Sequence, residues 1–354
     1  MKIIILAGGS GTRLWPVSRK NKPKQVQVFF DSSTLLQKTW TRLNKFFPSR
    51  DIFIATTSSQ IAMIRKDLPM LPVNNILVEP EARGTLPALV LASINIINKF
   101  PNEVVTFINS DHYIDDVKEY AKTLKQASDG MKQHQDVIGL IGIKPTFPDT
   151  GYGYIKIGKP LPGGIYQVDK FVEKPNLAKA ISYLKQKKFF WNPGYFIFYP
   201  QTLLNLMSET YPKLTNTLSK LKDLSRVSKN SKTWIKYFRQ LPATSIDYGL
   251  LEKTKKLILL PAKFSFADIG NWRAVYDILS RHQGENVVRG NYVGVESHGN
   301  LIYSTNRKLI TTIGIHDSII IETPDALLVC PKSQAQEVRV LVQALQKNNG
   351  KKFV

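Results

Sequence analysis

Cysteine is nearly absent. Cys330 is alone in 354 residues, which excludes an internal disulfide and any cysteine-built metal site. Its apolar neighbours mark it as a core residue. Histidine is sparse too: His112, His134, His282, His298 and His316 show neither zinc-site spacing nor a catalytic triad. No apolar run reaches membrane-spanning length, and no basic stretch with a cleavage site precedes the first strand. A cytosolic protein with no membrane partner is therefore expected. Acidic residues are few, 27 against 49 lysines and arginines, leaving a formal charge of +22. Part of that excess lies in residues 1–50. Another part lies between Lys179 and Arg239, in helical sequence with interspersed aromatics but no nucleic-acid module. Small polyanionic substrates and a basic surface account for it better than nucleic acid, which is not an expected partner.

What is present starts at the N-terminus. Ile3, Ile4, Ile5 and Leu6 form a short β-branched run that reads as a buried strand. Gly8, Gly9 and Gly11 follow, where the backbone can turn sharply and approach a ligand without a Cβ in the way. Exposed N–H groups of such a loop point at anions, and Thr12, Arg13 and Lys24 lie close behind. The outline is that of a triphosphate site. It is not a P-loop, because no Gly-Lys-Ser/Thr follows the glycines. Nor does it have the spacing of the dinucleotide fingerprint.

Beyond the loop, strands and helices alternate. A helix is expected from the periodic Leu35, Leu36, Trp40, Leu43 and Phe47, capped by Ser32 or Ser33. Strands are expected at 51–56, 76–79, 104–108 and 137–143, with a helix capped by Thr85 and another over 115–131. Such alternation predicts an α/β fold with a doubly wound, mostly parallel sheet. Ligands of that fold bind at the carboxyl ends of the strands, where Gly8, Glu79 and Asp111 fall. Residues 145–265 are less regular, with short strands around 152–157, 166–173 and 195–198 that read as the other wall of a cleft. From about 288 the pattern changes to closely spaced runs such as Leu301–Tyr303 and Ile319–Ile321, which predict a small β-solenoid or β-roll. A terminal helix over Ser333–Asn348 carries Val338, Leu341, Val342 and Leu345 on one face. That stripe can pack internally or against a second copy, and a homodimer is the expected assembly. The expected division is a catalytic domain at 1–285 and a solenoid-like domain with the helix at 286–354.

Several segments together carry a resemblance. Leu6-Ala-Gly-Gly-Ser-Gly-Thr-Arg-Leu-Trp-Pro16, followed by Pro23-Lys24-Gln25, resembles the signature of the sugar-phosphate nucleotidyltransferases, and within them the mannose-1-phosphate guanylyltransferases. Glu79-Pro-Glu-Ala-Arg-Gly-Thr85, Asn109-Ser-Asp-His112, Gly151-Tyr-Gly-Tyr154, Phe171-Val-Glu-Lys-Pro175, Trp191-Asn-Pro-Gly-Tyr195, Ser245-Ile-Asp-Tyr248 and Phe266-Ala-Asp-Ile-Gly-Asn-Trp272 follow in the family's order. Read without the family, Asp111 and Asp268 are as well explained as helix caps or turn residues. The resemblance makes them the pair that holds Mg2+, an ion that needs only one or two carboxylates beside substrate phosphates.

The same resemblance implies that Arg13 and Lys24, with Arg19 assisting, neutralise charge on the α-phosphate and the departing pyrophosphate. A carboxylate can accept from both N1–H and the N2 amino group of guanine, so Glu79 is the expected base reader, with Gly8, Gly9, Gly11, Thr12 and Thr85 completing the nucleotide side. Related enzymes usually carry Asn where this chain has Gly84. On the sugar side the implied residues are Gly153, Glu173, Lys174, Asn192 and Asp247. The implied substrates are GTP and mannose 1-phosphate. An appended isomerase domain, present in some members, is not expected. Two rivals stay open: the same chemistry with dTTP or UTP and glucose 1-phosphate, and a non-catalytic relative that binds nucleotide sugars or a polyanion.

Overall fold

The computed structural model describes residues 1–9, 11–228, 231–347 and 350–354. Its contacts group the chain into two compact units, neither contiguous in sequence. The first comprises 1–8, 40–109 and 114–265, and the second 9–39, 110–113 and 266–354.

The first unit is built on a ten-stranded sheet. Its order is Ile76–Glu79, Ile52–Thr57, Lys2–Leu6, Val105–Asn109, Phe196–Phe198, Ile138–Gly142, Leu257–Pro261, Ile165–Val172, Gly153–Leu161 and Phe189–Asn192. The first four strands run parallel, as βαβ crossovers require, and Ile138–Gly142 is parallel to Leu257–Pro261. Strands from the irregular middle of the sequence join antiparallel: Phe196–Phe198 enters between Val105–Asn109 and Ile138–Gly142, Ile165–Val172 lies against Leu257–Pro261, and Gly153–Leu161 pairs with its hairpin partner Ile165–Val172 and with Phe189–Asn192. The expected α/β sheet is therefore present, parallel among its N-terminal strands and antiparallel at the other end. Helix Thr85–Lys99 lies in this unit's core, with Leu86, Leu89, Val90, Ile94 and Ile96 completely buried. Burying each such side chain stabilises by about 1.5–3 kcal/mol.

Two caps differ from expectation. Helix Leu35–Asn44 opens on a capping box, in which the Gln37 N–H donates to Thr34 Oγ1 at 3.0 Å and the Thr34 N–H donates to Gln37 Oε1 at 3.0 Å, so neither Ser32 nor Ser33 is its cap. Thr85 is the first helical residue rather than the cap, which is Gly84.

The second unit holds the chain from Gly9 to Thr39, the segment around Asp111 and everything from Phe266 on. Its β-part winds as expected. Val287–Arg289, Leu301–Ser304 and Ser318–Thr323 stack in parallel, closed by antiparallel Ala326–Pro331, and Asn291–Val295 pairs in parallel with Leu309–Ile313. The pairings Leu301 to Ile319 and Asn291 to Leu309 advance 18 residues per coil, and Val287 to Leu301 advances 14. The terminal helix is Val338–Lys347, preceded by 3₁₀ turns at Lys332–Glu337; Asn348 lies outside the described residues. Val338 and Val342 of that helix are buried in one core with Leu14, Trp15, Trp272, Leu301 and Ile319. Among the described residues no helix is long and apolar enough to cross a membrane.

Candidate active site

Within the second unit, a short ladder sets two carboxylates side by side. Strand His112–Ile114 pairs with Phe266–Asp268, and the Ile269 N–H donates to the Asp111 carbonyl at 3.2 Å. Asp111 thus sits at the start of one strand of the pair while Asp268 ends the other. Neither is a helix cap. That task falls to Asp116, which accepts from Lys118 and Glu119, and to Asn271, which accepts from Ala274.

Lys24 lies between the carboxylates. Its ammonium is hydrogen-bonded to Asp111 Oδ2 and is 3.9 Å from Asp268 Oδ1. Burial alone would pull the Lys24 ammonium down, but the charges of Asp111 and Asp268 outweigh it and hold it above its usual value. Burial likewise pushes the Asp111 carboxyl up, and Lys24 with His112 outweighs it, leaving Asp111 below the usual carboxylate range. Asp268 Oδ1 is buried without a hydrogen-bond partner among the described residues. Ligand atoms of Asp111, His112 and Asp268 lie within 4.8 Å of one another. The three make a candidate divalent-cation site, whose orphaned carboxylate oxygen suits a hard cation. The spacing of the histidines gave no hint of His112; its place beside Asp111 at a strand end was the available signal.

The loop is held by its own geometry. Gly11 has φ +64°, and a Cβ there would stand 2.6 Å from Lys24 Cβ. Only glycine fits. At Gly9 a Cβ would meet nothing within 4 Å, so local packing does not demand that glycine. Thr12 opens the 3₁₀ turn Thr12–Leu14, and Arg13 donates from Nη1 to Gln336 Oε1 at 2.9 Å. Arg19 forks onto Asp325 at 2.8 and 3.1 Å. Trp15 donates to the Phe353 carbonyl, and the fully buried Trp272 donates to the Trp15 carbonyl at 2.8 Å.

In the first unit, Glu79 ends its strand beside Gly8, whose added Cβ would lie 3.8 Å from Glu79 Oε1. Burial pushes the Glu79 carboxyl up to about 8. Thr85 accepts from the Ile246 N–H at 2.9 Å and keeps its own proton to donate. Gly84 explains the departure from the family's Asn. Its φ of +96° and ψ of 173° belong to a region open essentially to glycine alone. A Cβ there would stand 2.4 Å from the Thr244 carbonyl oxygen. Restoring the family residue with Gly84→Asn is expected to destabilise by at least about 1–3 kcal/mol, read as a lower urea midpoint at unchanged m-value. An Asn variant as stable as the parent would show that the loop relaxes freely.

The expected sugar-side residues also gather in the first unit. Gly153 faces Asn192 across adjacent strands, and Glu173 follows directly on strand Ile165–Val172. Asn192 donates from Nδ2 to Asp247 Oδ1 at 2.9 Å and accepts from the Gly194 N–H at 3.0 Å. Lys174, at φ +44°, turns its ammonium back onto Glu173. Burial first, then the charge of Asp247, holds Glu173 above its usual value, and burial does the same to Asp247. Glu252, absent from the sequence-based set, accepts from the Glu173 N–H at 2.9 Å.

A family model described as "Nucleotidyl transferase" matches residues 2–284. The chain belongs to the nucleotidyl transferase family. A second family model, "MannoseP isomerase/GMP-like beta-helix domain", matches residues 290–345, the wound β-part. A mannose-1-phosphate guanylyltransferase of Escherichia coli is 36% identical over 97% of this chain and 75% of its own length. One from Salmonella muenchen is 33% identical over 98% and 73%. A crystal structure described as a mannose-1-phosphate geranyltransferase from Thermus thermophilus superposes with a TM-score of 0.86. It is 32% identical, over 98% of this chain and 99% of that one. Membership makes the chain a nucleotidyltransferase, and the non-catalytic rival loses its ground.

Proposed function

We propose that the chain transfers a guanylyl group from GTP to α-D-mannose 1-phosphate, giving GDP-mannose and pyrophosphate. The observation that carries this reading is the Asp111–Asp268 pair with Lys24 between them, in a family member whose curated relatives are named for that reaction. A phosphate oxygen of the sugar phosphate attacks the α-phosphorus in line. The bond to the bridging oxygen breaks, and pyrophosphate leaves with the electron pair. No covalent intermediate on the protein is needed, so catalysis is positioning and electrostatics.

In this reading Gly8, Gly9, Gly11 and Thr12 offer backbone and hydroxyl groups to the triphosphate, and Arg13 and Lys24 take its charge. Glu79 reads guanine, and Thr85 donates its free hydroxyl proton on the nucleotide side. Gly153, Glu173, Lys174, Asn192 and Asp247 serve the sugar phosphate, with carboxylates for hydroxyls and the ammonium for phosphate. Asp111 and Asp268 would hold Mg2+, which when bound neutralises charge on the reacting phosphates. Lys24, paired with Asp111 and close to Asp268, would bring its positive charge to the phosphates.

The test is pyrophosphate release over GTP, ATP, UTP and dTTP crossed with mannose, glucose and galactose 1-phosphates. Signal confined to GTP with mannose 1-phosphate is expected. Turnover with UTP or dTTP and glucose 1-phosphate would keep the mechanism and overturn the role given to Glu79.

A further inference from the structure

The loop that carries Arg13 is folded onto the C-terminal end of the chain. Within the second unit, Leu14 and Trp15 share a core with Ala335, Val338 and Val342, and Trp15 donates to the Phe353 carbonyl at 2.7 Å. Arg19 is tied to Asp325 in the strand turn just before. From the 3₁₀ segment Lys332–Glu337, anchored by Ala335 at 2% exposure, Gln336 reaches the Arg13 guanidinium at 2.9 Å. That contact spans 323 residues of sequence. An arginine side chain has many rotamers, and freezing one costs about 1.5–2 kcal/mol of entropy unless a partner already holds it. A neutral amide oxygen holds the fork without cancelling its charge. A carboxylate would hold it more tightly and spend the charge that a phosphate needs.

We propose that Gln336 is a positioning residue for Arg13, and that the wound C-terminal part thereby takes part in triphosphate binding. This rests on the reading of Arg13 as a phosphate-binding cation. Gln336 touches no substrate in this account; it acts through the guanidinium.

The test uses the full chain and inorganic tripolyphosphate as the probe, titrated calorimetrically at low ionic strength. Gln336→Ala is expected to weaken binding about threefold, because one hydrogen bond to an exposed guanidinium offsets only part of that ordering cost. Gln336→Glu is expected to weaken it about tenfold by pairing with Arg13. In an Arg13→Ala background neither change should matter, a coupling that a merely structural role would not show. In turnover the same variants should lower kcat/KM for the triphosphate, Gln336→Glu more than Gln336→Ala, and change nothing further in the Arg13→Ala background.

Variants that bind like the parent, or lose the same affinity with Arg13 already gone, would overturn the inference. Parent protein that ignores tripolyphosphate would remove Arg13 from its role, and Gln336 with it. The coupled pattern in a protein that releases no pyrophosphate from any triphosphate would sink the transferase reading and leave Gln336 standing.

Discussion

Asp111→Asn is expected to slow pyrophosphate release about a thousandfold, a loss of about 4 kcal/mol of transition-state stabilisation. The asparagine keeps the size and the position at the end of the two-stranded ladder, so what is lost is charge. That charge serves two partners. It balances the Lys24 ammonium, which would be left with Asp268 at 3.9 Å, and it supplies a hard oxygen to the candidate cation site. Breaking a buried pair from one side typically costs about 3–5 kcal/mol of stability. Here the cost should fall below that range, because Asp268 still faces the stranded ammonium. A Mn2+ titration of the same variant separates the two effects, since weakened ion binding in a protein that melts near the parent temperature assigns the rate loss to the site. A variant that keeps at least a tenth of the parent rate would remove Asp111 from the catalytic set.

Much of the fold was legible because its strands are short, apolar and rich in β-branched residues. Lys2–Leu6, Ile52–Thr57 and Ile76–Glu79 announce themselves by composition. The wound coils could be read in part as closely spaced apolar runs, though the 18-residue advance appears only in the pairings of Leu301 with Ile319 and of Asn291 with Leu309. What stayed hidden depends on atoms far apart in sequence or on backbone geometry. A capping box at Thr34 and Gln37 competes with two neighbouring serines, and only backbone geometry chooses among them. Gly84 stands where related enzymes carry Asn, and only the close approach of the Thr244 carbonyl shows that glycine is required there. A boundary at 285/286 describes chain order. The compact units are made by contacts, and those gather the glycine loop with Trp272, Tyr303 and the final helix.

The candidate site divides the same way. Arg13 and Lys24 follow from the glycine loop and Asp111 from its place at a strand end, while the family segments single out Asp268; the structure brings the two aspartates to one ladder with Lys24 between them. Glu173, Asn192 and Asp247 stand in separate segments and gather in space, Asn192 hydrogen-bonded to Asp247 and the charge of Asp247 acting on Glu173. Segment order supplied the list, but not Gln336, Glu252 or His112. Gln336 and Glu252 meet Arg13 and Glu173 through contacts far apart in sequence, which no local pattern encodes, whereas His112 stands next to Asp111 and only its closeness to Asp268 was hidden.

Glu79→Gln is expected to raise stability at pH 8 and to remove a pH dependence of nucleotide binding. The Glu79 carboxyl is 5% exposed, and burial alone lifts it from 4.5 to about 8. Below pH 4.5 the proton is bound in folded and unfolded chains alike, and Glu79 costs nothing. Between pH 4.5 and 8 only the folded chain holds it, so stability falls by about 1.4 kcal/mol per pH unit, to a loss of about 5 kcal/mol. Above pH 8 both states are ionised and the loss stays. Glutamine has no proton to lose, and its stability curve should be flatter across this window. Recognition of guanine by the carboxylate demands the ionised form, which at pH 7 is about a tenth of the free protein. Binding of GDP-mannose, whose phosphates stay ionised throughout, should therefore tighten at least tenfold from pH 6 to 8 in the parent, with proton release. In Glu79→Gln it should be weaker at pH 8 and flat. A parent whose affinity does not change with pH binds guanine through the uncharged acid, or reads the base elsewhere, and Glu79 then loses the role given to it here.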